Sequence, residues 1–175
     1  MTTASIHIHE LPISMPSTPP VAGFAELYER HYEAVFRAAL RVTGNPADAE
    51  DVLQTVFLRV MTGGVDVENV ALPTAYFRRA AVNAAVDILR RRELRAESAY
   101  EDGALRVAVQ SPFLLKERLR RALAILERDD ASLFLLRHVE GLSIEELAGM
   151  FEMDKNNVSV RLHRIRHRLQ AEMER

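Results

Sequence analysis

Apolar residues recur every three or four positions along most of this chain, and this period constrains its fold more than any other feature. The first such stripe includes Phe24, Leu27 and Val35, and comparable stripes follow later breaks at glycine or proline. Because an α-helix has about 3.6 residues per turn, positions with this spacing lie on one face. Apart from the short IHIHE fragment at residues 6–10, no segment alternates apolar and polar residues as a half-buried strand would. The pattern therefore predicts an all-α protein.

Glycine, proline and capping residues divide the pattern into separate helices. Thr43-Gly44 is typical of a helix end, whereas Asn45 and Pro46 suit the cap and first position of the next helix. A capping pair also marks the penultimate helix. The predicted helices span residues 24–43, 46–61, 74–92, 112–127, 131–140, 143–151 and 155–173.

Two stretches interrupt the helical pattern and predict how the chain is organised. Residues 1–20 are rich in Ser, Thr and Pro and end in a Pro-Pro pair, which predicts a disordered tail. Residues 93–112 lose the apolar period and include Gly103 and Pro112. We therefore predict two small helical bundles, residues 21–92 and 113–175, joined by a flexible linker over residues 93–112.

The C-terminal bundle ends in a helix-turn-helix pattern. Ser143 and Glu146 predict a capping box at the start of a short helix, a tight turn follows at residues 152–154, and a longer helix begins at Lys155. A short helix, a tight turn and a basic helix are typical of a DNA-binding motif. The apolar stripe of the last helix comprises Val158, Leu162, Ile165 and Leu169.

The face of the last helix opposite that stripe carries the candidate DNA contacts. Recognition helices usually meet base edges near their N-terminus, so the candidates for base contact are Asn156, Asn157, Ser159, Val160 and His163. The candidates for phosphate contact are Lys155, Arg161, Arg164 and Arg166. A solvated basic face is the alternative for the whole set, with Asn157 as a cap residue and Arg161 as an ion-pair partner inside the bundle.

Composition and motifs restrict the remaining classes of protein. The chain has 175 residues, a net charge of −2 and no cysteine, so disulfides and thiolate zinc sites are excluded. It lacks a secretory signal and a run of roughly 20 apolar residues, so we expect a cytoplasmic protein without membrane insertion. The histidines lack paired Glu-x-x-His motifs and no glycine-rich phosphate loop occurs. We therefore expect no metal, no cofactor and no enzymatic activity.

Three motifs in the expected order resemble the extracytoplasmic-function (ECF) sigma factors of bacterial RNA polymerase. DAEDVLQTVF lies in a segment, residues 24–61, that is similar to the helices of regions 2.1 and 2.2. NAAVDILRR lies in the counterpart of the segment that melts and binds the −10 promoter element. EGLSIEELA opens the counterpart of region 4, whose helix-turn-helix reads the −35 element. The resemblance implies a subunit that binds core polymerase and directs it to promoter DNA.

The resemblance assigns polymerase binding to the second helix. Asp51 and Gln54 match the family positions that bind the coiled coil of the polymerase β′ subunit, and Asp48 and Glu50 lie beside them. Stabilisation of the helix N-terminus by acidic residues is an alternative explanation for these carboxylates. Region 4 of the family implies a further contact, with the β flap.

The resemblance assigns −10 binding to the third helix. Asn83 matches an asparagine near a pocket that holds a base flipped out of the opened strand, and Tyr76 stands where many members have tryptophan. Holding such a base recovers part of the few kcal/mol that unstacking costs. The arginines expected to hold the DNA backbone are Arg78, Arg79, Arg90, Arg91 and Arg92.

Region 4 of the family implies that the face described above reads the −35 element. This chain has Asn-Asn-Val-Ser-Val-Arg at residues 156–161, where Gly-Thr-Val-Lys-Ser-Arg is commoner, so the −35 sequence of better-known members does not transfer. The family also implies an anti-sigma factor as a partner. A helix-turn-helix regulator that acts without polymerase is the alternative, and it gives the acidic second helix no role.

Overall fold

The computed structural model describes residues 23–62, 73–101 and 112–174. These residues form seven α-helices and no strand, which confirms the predicted all-α fold. The predicted N-terminal tail, residues 1–20, lies outside the described residues. The helices are α1 (Phe24–Thr43), α2 (Pro46–Met61), α3 (Pro73–Glu101), α4 (Pro112–Ala124), α5 (Arg128–His138), α6 (Ile144–Met150) and α7 (Lys155–Glu174).

The break between α1 and α2 follows the predicted capping residues. Gly44 has φ 67°, a left-handed conformation that glycine adopts without steric cost, and its N–H donates to the carbonyl of Leu40 at 2.8 Å. The side chain of Asn45 then accepts a hydrogen bond from the N–H of Ala47 at 2.9 Å, with Pro46 at the first helical position. The predicted boundary is confirmed.

Helix α3 is longer than the sequence pattern predicted. The predicted end near Arg92 is wrong, because the helix continues to Glu101. Residues 93–101 lack an apolar stripe, but they also lack glycine and proline and include good helix formers such as Glu, Leu, Arg and Ala. Residues 93–101 of the predicted linker are therefore helical, and residues 102–111 lie outside the described residues.

Helices α1, α2 and α3 pack around a cluster of aromatic rings. Phe77 is fully buried, and its ring stacks on that of Phe57, with centroids 5.4 Å apart, and on the imidazole of His31 at 4.4 Å. Phe77 is therefore a core residue. It also leaves the hydrophilic side of α2 and one side of α3 facing outward from the N-terminal bundle.

Helices α4 to α7 form the C-terminal bundle, and its helix-turn-helix is confirmed. The hydroxyl of Ser143 accepts from the N–H of Glu146 at 3.1 Å, and the carboxylate of Glu146 accepts from the N–H of Ser143 at 2.7 Å. The turn closes where the N–H of Met153 donates to the carbonyl of Ala148 at 2.9 Å. All four residues of the predicted stripe on α7 are buried.

The two bundles lie against each other along α3. This helix packs on α1 and α2 within its own bundle and also on α4 and α5 of the other. The sequence had predicted two bundles on a linker but not their relative position. None of the described helices combines the length and apolar character needed to cross a bilayer.

Candidate nucleic-acid interface

The outer face of α7 presents the candidate base contacts to solvent. Asn156, Asn157, Ser159 and His163 are exposed, and Val160 keeps 40% of its surface accessible although it is apolar. On the opposite face Val158 and the rest of the stripe fix the helix against α5 and α6. The first two turns of α7 can therefore enter a groove without disturbing the core.

The cationic residues of α7 fall into two groups. Arg161 donates to the carboxylate of Asp130 on α5 at 2.6 Å, and Lys155 lies 2.9 Å from that of Glu145 on α6. Arg164 and Arg166 form no ion pair with any described residue. The interpretation of Arg161 as an ion-pair partner inside the bundle therefore fits the structure, while Arg164 and Arg166 are free to meet phosphate groups.

The capping box and the Lys155 ion pair also favour the negatively charged forms of two glutamates in the helix-turn-helix. The hydrogen bond from Lys155 lowers the pKa of the Glu145 carboxyl, and the hydrogen bonds with Ser143 lower that of Glu146. Both groups are therefore carboxylates at neutral pH, and they flank the N-terminal half of α7. An acidic border beside a basic face favours one orientation of an approaching polyanion.

His163 and His167 are neighbours on the exposed face of α7. Their Nε2 atoms lie 3.1 Å apart, with one ring edge-on to the other. Among the described residues no set of three His, Cys, Asp or Glu side chains is arranged to hold a metal ion. The pair therefore belongs to the polar surface of α7.

The acidic side of α2 is mostly exposed. Glu50, Asp51 and Gln54 face solvent, whereas Asp48 is partly buried and forms an ion pair with Arg92 of α3. The structure thus brings one predicted polymerase-binding residue into contact with one predicted DNA-binding residue. Asp51 and Gln54 form no ion pair or side-chain hydrogen bond within the described part of the chain, so they can contact a partner.

The predicted −10 residues of α3 occupy two different environments. Arg90 and Arg91 are exposed, although the Arg91 guanidinium donates back to the carbonyl of Asp87 at 3.3 Å. Tyr76 is half-buried with its ring 5.6 Å from that of Phe77, and burial raises the pKa of its phenol. Arg78, Arg79 and Asn83 instead contact the C-terminal bundle.

Sequence reasoning missed the residues that make this contact between bundles. Glu140, which follows α5, lies between Arg41 of α1 and Arg78 of α3, and its side chain is only 3% exposed. Arg128 and Ser132 of α5 also bond to α3. Arg41 and Glu140 are far apart in the chain, so no local pattern connects them.

The chain is similar to known transcription proteins over most of its length. Residues 27–95 match the model of Sigma-70 region 2, and residues 116–169 match that of Sigma-70 region 4. An "RNA polymerase sigma-E factor" of Streptomyces coelicolor is 31% identical over 87% of this chain and 87% of its own. The "ECF RNA polymerase sigma factor SigE" of Mycolicibacterium smegmatis is 33% identical over 82% of this chain and 59% of its own.

A solved structure has the same fold. The structure titled "Structure of CnrH in complex with the cytosolic domain of CnrY" matches with a TM-score of 0.51 and 21% identity, over 87% of this chain and 88% of that chain. The resemblance noted from the three sequence motifs is confirmed by the two matched models and by the relatives.

Proposed function

This chain belongs to the extracytoplasmic-function family of RNA polymerase sigma factors, and from this membership we propose how its two bundles divide promoter recognition. The first bundle, α1 to α3, acts as region 2. Its proposed limits are those predicted from the sequence, residues 21–92, with the linker after them. The second bundle, α4 to α7, acts as region 4. The observation that carries this proposal is the order of the two matched regions together with the exposed basic face of α7.

The proposed role of α7 is to read the −35 element in the major groove. Its exposed N-terminal turns carry amide, hydroxyl and imidazole groups that form hydrogen bonds to base edges, and Val160 can contact a thymine methyl group. Arg164 and Arg166 pair with none of the carboxylates that the structure describes, so they hold the phosphates on either side. Lys155 and Arg161 join them by exchanging their carboxylate partners for phosphate.

The proposed role of α3 is to bind the opened −10 strand. Asn83 would contact a base that has left the stack, and the neighbouring arginines would hold the sugar-phosphate backbone. This activity uses binding energy to stabilise melted DNA and needs no catalytic group. It places the protein with polymerase in the cytoplasm, and a further proposed partner is an anti-sigma factor that covers these surfaces.

The proposed role of α2 is to bind core polymerase through Asp51 and Gln54, which approach the β′ coiled coil while region 4 meets the β flap. Asp51→Ala/Gln54→Ala is expected to reduce capture of core polymerase at least about tenfold, because it removes a charge and an amide from an exposed contact surface. Glu29→Ala, which removes an exposed acid from α1, is the matched control and should leave capture unchanged.

Transcription in vitro tests the function as a whole. Core polymerase and a genomic fragment library are incubated with and without the protein, and transcription start sites are mapped. New start sites that share sequences near −10 and −35 are the expected result. If no start site depends on the protein, the proposed sigma function is wrong. If core polymerase captures Asp51→Ala/Gln54→Ala as well as it captures the wild type, the proposed role of α2 is wrong.

A further inference from the structure

Three residues proposed to bind the −10 strand are already in contact with the C-terminal bundle. We name the surface formed by Arg78, Arg79 and Asn83 of α3 the −10 face. Each of the three contacts a group that belongs to α5, to α6 or to the residues that directly follow these helices. The contact therefore covers the part of region 2 on which promoter melting is proposed to depend.

Glu140 occupies the cationic part of this surface. Its Oε1 accepts a hydrogen bond from Arg41 Nη1 at 2.6 Å, and its Oε2 lies 3.9 Å from Arg78 Nε. Guanidinium groups bind carboxylates and phosphates through the same hydrogen bonds. Glu140 thus takes the position that a DNA phosphate would take, and Arg41 of α1 extends the cationic surface beyond α3.

Arg79 is engaged by the end of the helix-turn-helix's first helix. Its guanidinium donates to the main-chain carbonyl of Met150, and its central carbon lies 4.4 Å from the centre of the Phe151 ring. The second contact is a cation–π interaction, which desolvation strengthens. Both of these contacts compete with a phosphate for the Arg79 guanidinium.

Asn83 is closed off by α5. Its side-chain oxygen accepts a hydrogen bond from the hydroxyl of Ser132 at 2.5 Å, and Ser132 is fully buried. One turn further along α3, the carboxylate of Asp87 pairs with Arg128 of α5 at 2.6 Å. A base flipped out of the −10 strand would have to displace α5 to reach the Asn83 amide.

We propose that this contact is an autoinhibitory clasp, in which region 4 of the free sigma factor occupies the −10 face of its own region 2. The inference rests on the proposed roles of the two regions. Region 4 must leave before the −10 strand can bind, so the free protein is a poor ligand for opened DNA. Among the described residues, the clasp at the −10 face consists of the ion-pair sites of Glu140 and Arg128, one hydrogen bond to Asn83 and the two contacts of Arg79.

Promoter geometry supports the need for opening. The −10 and −35 elements are about 25 base pairs apart, which is roughly 85 Å of duplex when one turn of about 10 pairs spans about 34 Å. A 20-residue helix such as α7 is only about 30 Å long. While α5 touches α3, a bundle of that size cannot place α7 on one element and α3 on the other.

The clasp leaves the other proposed surfaces open. Asp51 and Gln54 on α2 and the outer face of α7 are exposed in the same structure. Core polymerase can therefore bind the closed form, and its contacts with both regions can supply the free energy that separates them. The clasp suppresses −10 binding by the free protein without hindering assembly with polymerase.

The test uses fluorescence anisotropy to compare how tightly the free 175-residue wild type and its variants bind a randomised pool of single-stranded DNA. Glu140→Gln/Arg128→Gln, the released variant, removes the two ion-pair sites beside the −10 face from the region 4 side at unchanged net charge, and it leaves the pair of Arg121 on α4 with Glu93 on α3 in place. Glu26→Gln/Arg30→Gln removes an exposed ion pair of 2.5 Å within α1, also at unchanged net charge, and is the matched control. Thermal melting checks that both variants are folded.

The released variant is expected to bind the pool about tenfold more tightly than the wild type, which corresponds to a clasp closed in about nine of ten free molecules. The control should bind like the wild type. The gain in affinity should arise at the −10 face. Adding Arg78→Gln/Arg79→Gln to the released variant should therefore abolish it. Equal affinities of the wild type and the released variant would overturn the clasp.

A second measurement follows the distance between the bundles directly. The chain has no cysteine, so dyes can be attached to Glu29→Cys on α1 and Gln170→Cys on α7, both of which are exposed positions. Energy transfer should fall in the wild type as salt screens the partly exposed ion pairs, and it should be low throughout in the released variant. Identical transfer in both proteins at every salt concentration would contradict the clasp.

These outcomes are separate from those of the proposed function. If the wild type directs new start sites with core polymerase but the released variant gains no affinity, the function stands and the clasp is wrong. If the released variant gains affinity but no start site appears, the contact still occludes a DNA-binding surface and the sigma function is wrong.

Discussion

Asn156 and Arg164 lie on the same exposed side of α7, yet their chemistry suits different parts of a DNA duplex. The amide of Asn156 can donate and accept in the plane of a base, as adenine recognition requires. Arg164 carries a delocalised charge that matches a phosphate. One short helix can therefore combine sequence readout with positioning.

Substitution separates these two roles. Arg164→Gln should weaken binding of region 4 to all duplex sequences by a similar factor and reduce the salt dependence by about one phosphate contact. Asn156→Ala should instead change the preferred base at one position, with a discrimination of about 1–3 kcal/mol. Anisotropy titrations against a duplex library at several salt concentrations measure both effects. A uniform loss for Asn156→Ala would show that this side chain contacts only the backbone.

His31 makes the stability of the N-terminal bundle depend on pH. Burial against Phe77 lowers the pKa of its imidazole, and the nearby charge of Arg30 lowers it further. The folded protein therefore binds fewer protons than the unfolded chain when the pH falls toward the ordinary histidine pKa of about 6.5. The contribution of neutral His31 to the free energy of unfolding is therefore complete above about pH 6.5. It is lost as the pH falls below that value.

The expected result is a melting temperature that falls between pH 7.5 and pH 5.5, and that falls less in His31→Phe, which keeps an aromatic ring against Phe77. Partial desolvation and the nearby charges of Arg166 and Arg137 also lower the pKa of His138, so His31→Phe/His138→Gln should flatten the profile further. An unchanged pH profile in His31→Phe would show that another group is responsible. Scanning calorimetry at a series of pH values measures the effect.

At the scale of the helix, α6 depends on its cap more than the other helices do. It has only seven residues, so little intrahelical hydrogen bonding stabilises it, and the capping box satisfies its first donors. The same helix fixes the start of α7 through the turn between Ala148 and Met153. A local capping interaction therefore affects the orientation of the recognition helix.

Ser143→Ala should lower the free energy of unfolding by about 1 kcal/mol, because it removes the acceptor for the Glu146 N–H. It should also weaken binding to a −35 duplex while leaving capture of core polymerase through α2 unchanged. Ser143→Thr retains a hydroxyl and is the matched control. Urea denaturation gives the stability, and a loss no larger than that of Ser143→Thr would mean that the cap contributes little.

At the scale of the whole molecule, the important quantity is the strength of the contact between the bundles. Its ion pairs involve arginines whose side chains are 39–48% exposed, and such pairs contribute at most about 1 kcal/mol each. A few contacts of this size favour the closed form by about one or two orders of magnitude. Binding to a large partner can exceed that free energy, so the contact is suited to a reversible switch.

Much of this molecule follows from local sequence. The helical period, the Asn45 and Ser143 caps and the buried stripe of α7 depend on residues within a few positions of one another, so the sequence alone predicted the all-α fold and the helix-turn-helix. The same local rules predicted that α3 ends near Arg92, and that was wrong, since helix propensity persisted after the apolar stripe had ended.

Only the tertiary structure decided which surfaces are free and which are covered. The sequence identified Arg78, Arg79 and Asn83 as members of one candidate site, but it could not show that Glu140, Met150 and Ser132 contact them. Met150 lies 71 residues from Arg79 in the chain, and Ser132 lies 49 residues from Asn83. No local period connects residues so far apart. The sequence determined the helices and the chemistry of their faces, whereas the packing of α3 against α5 determined which of those faces DNA can reach, because burial depends on contacts between distant segments.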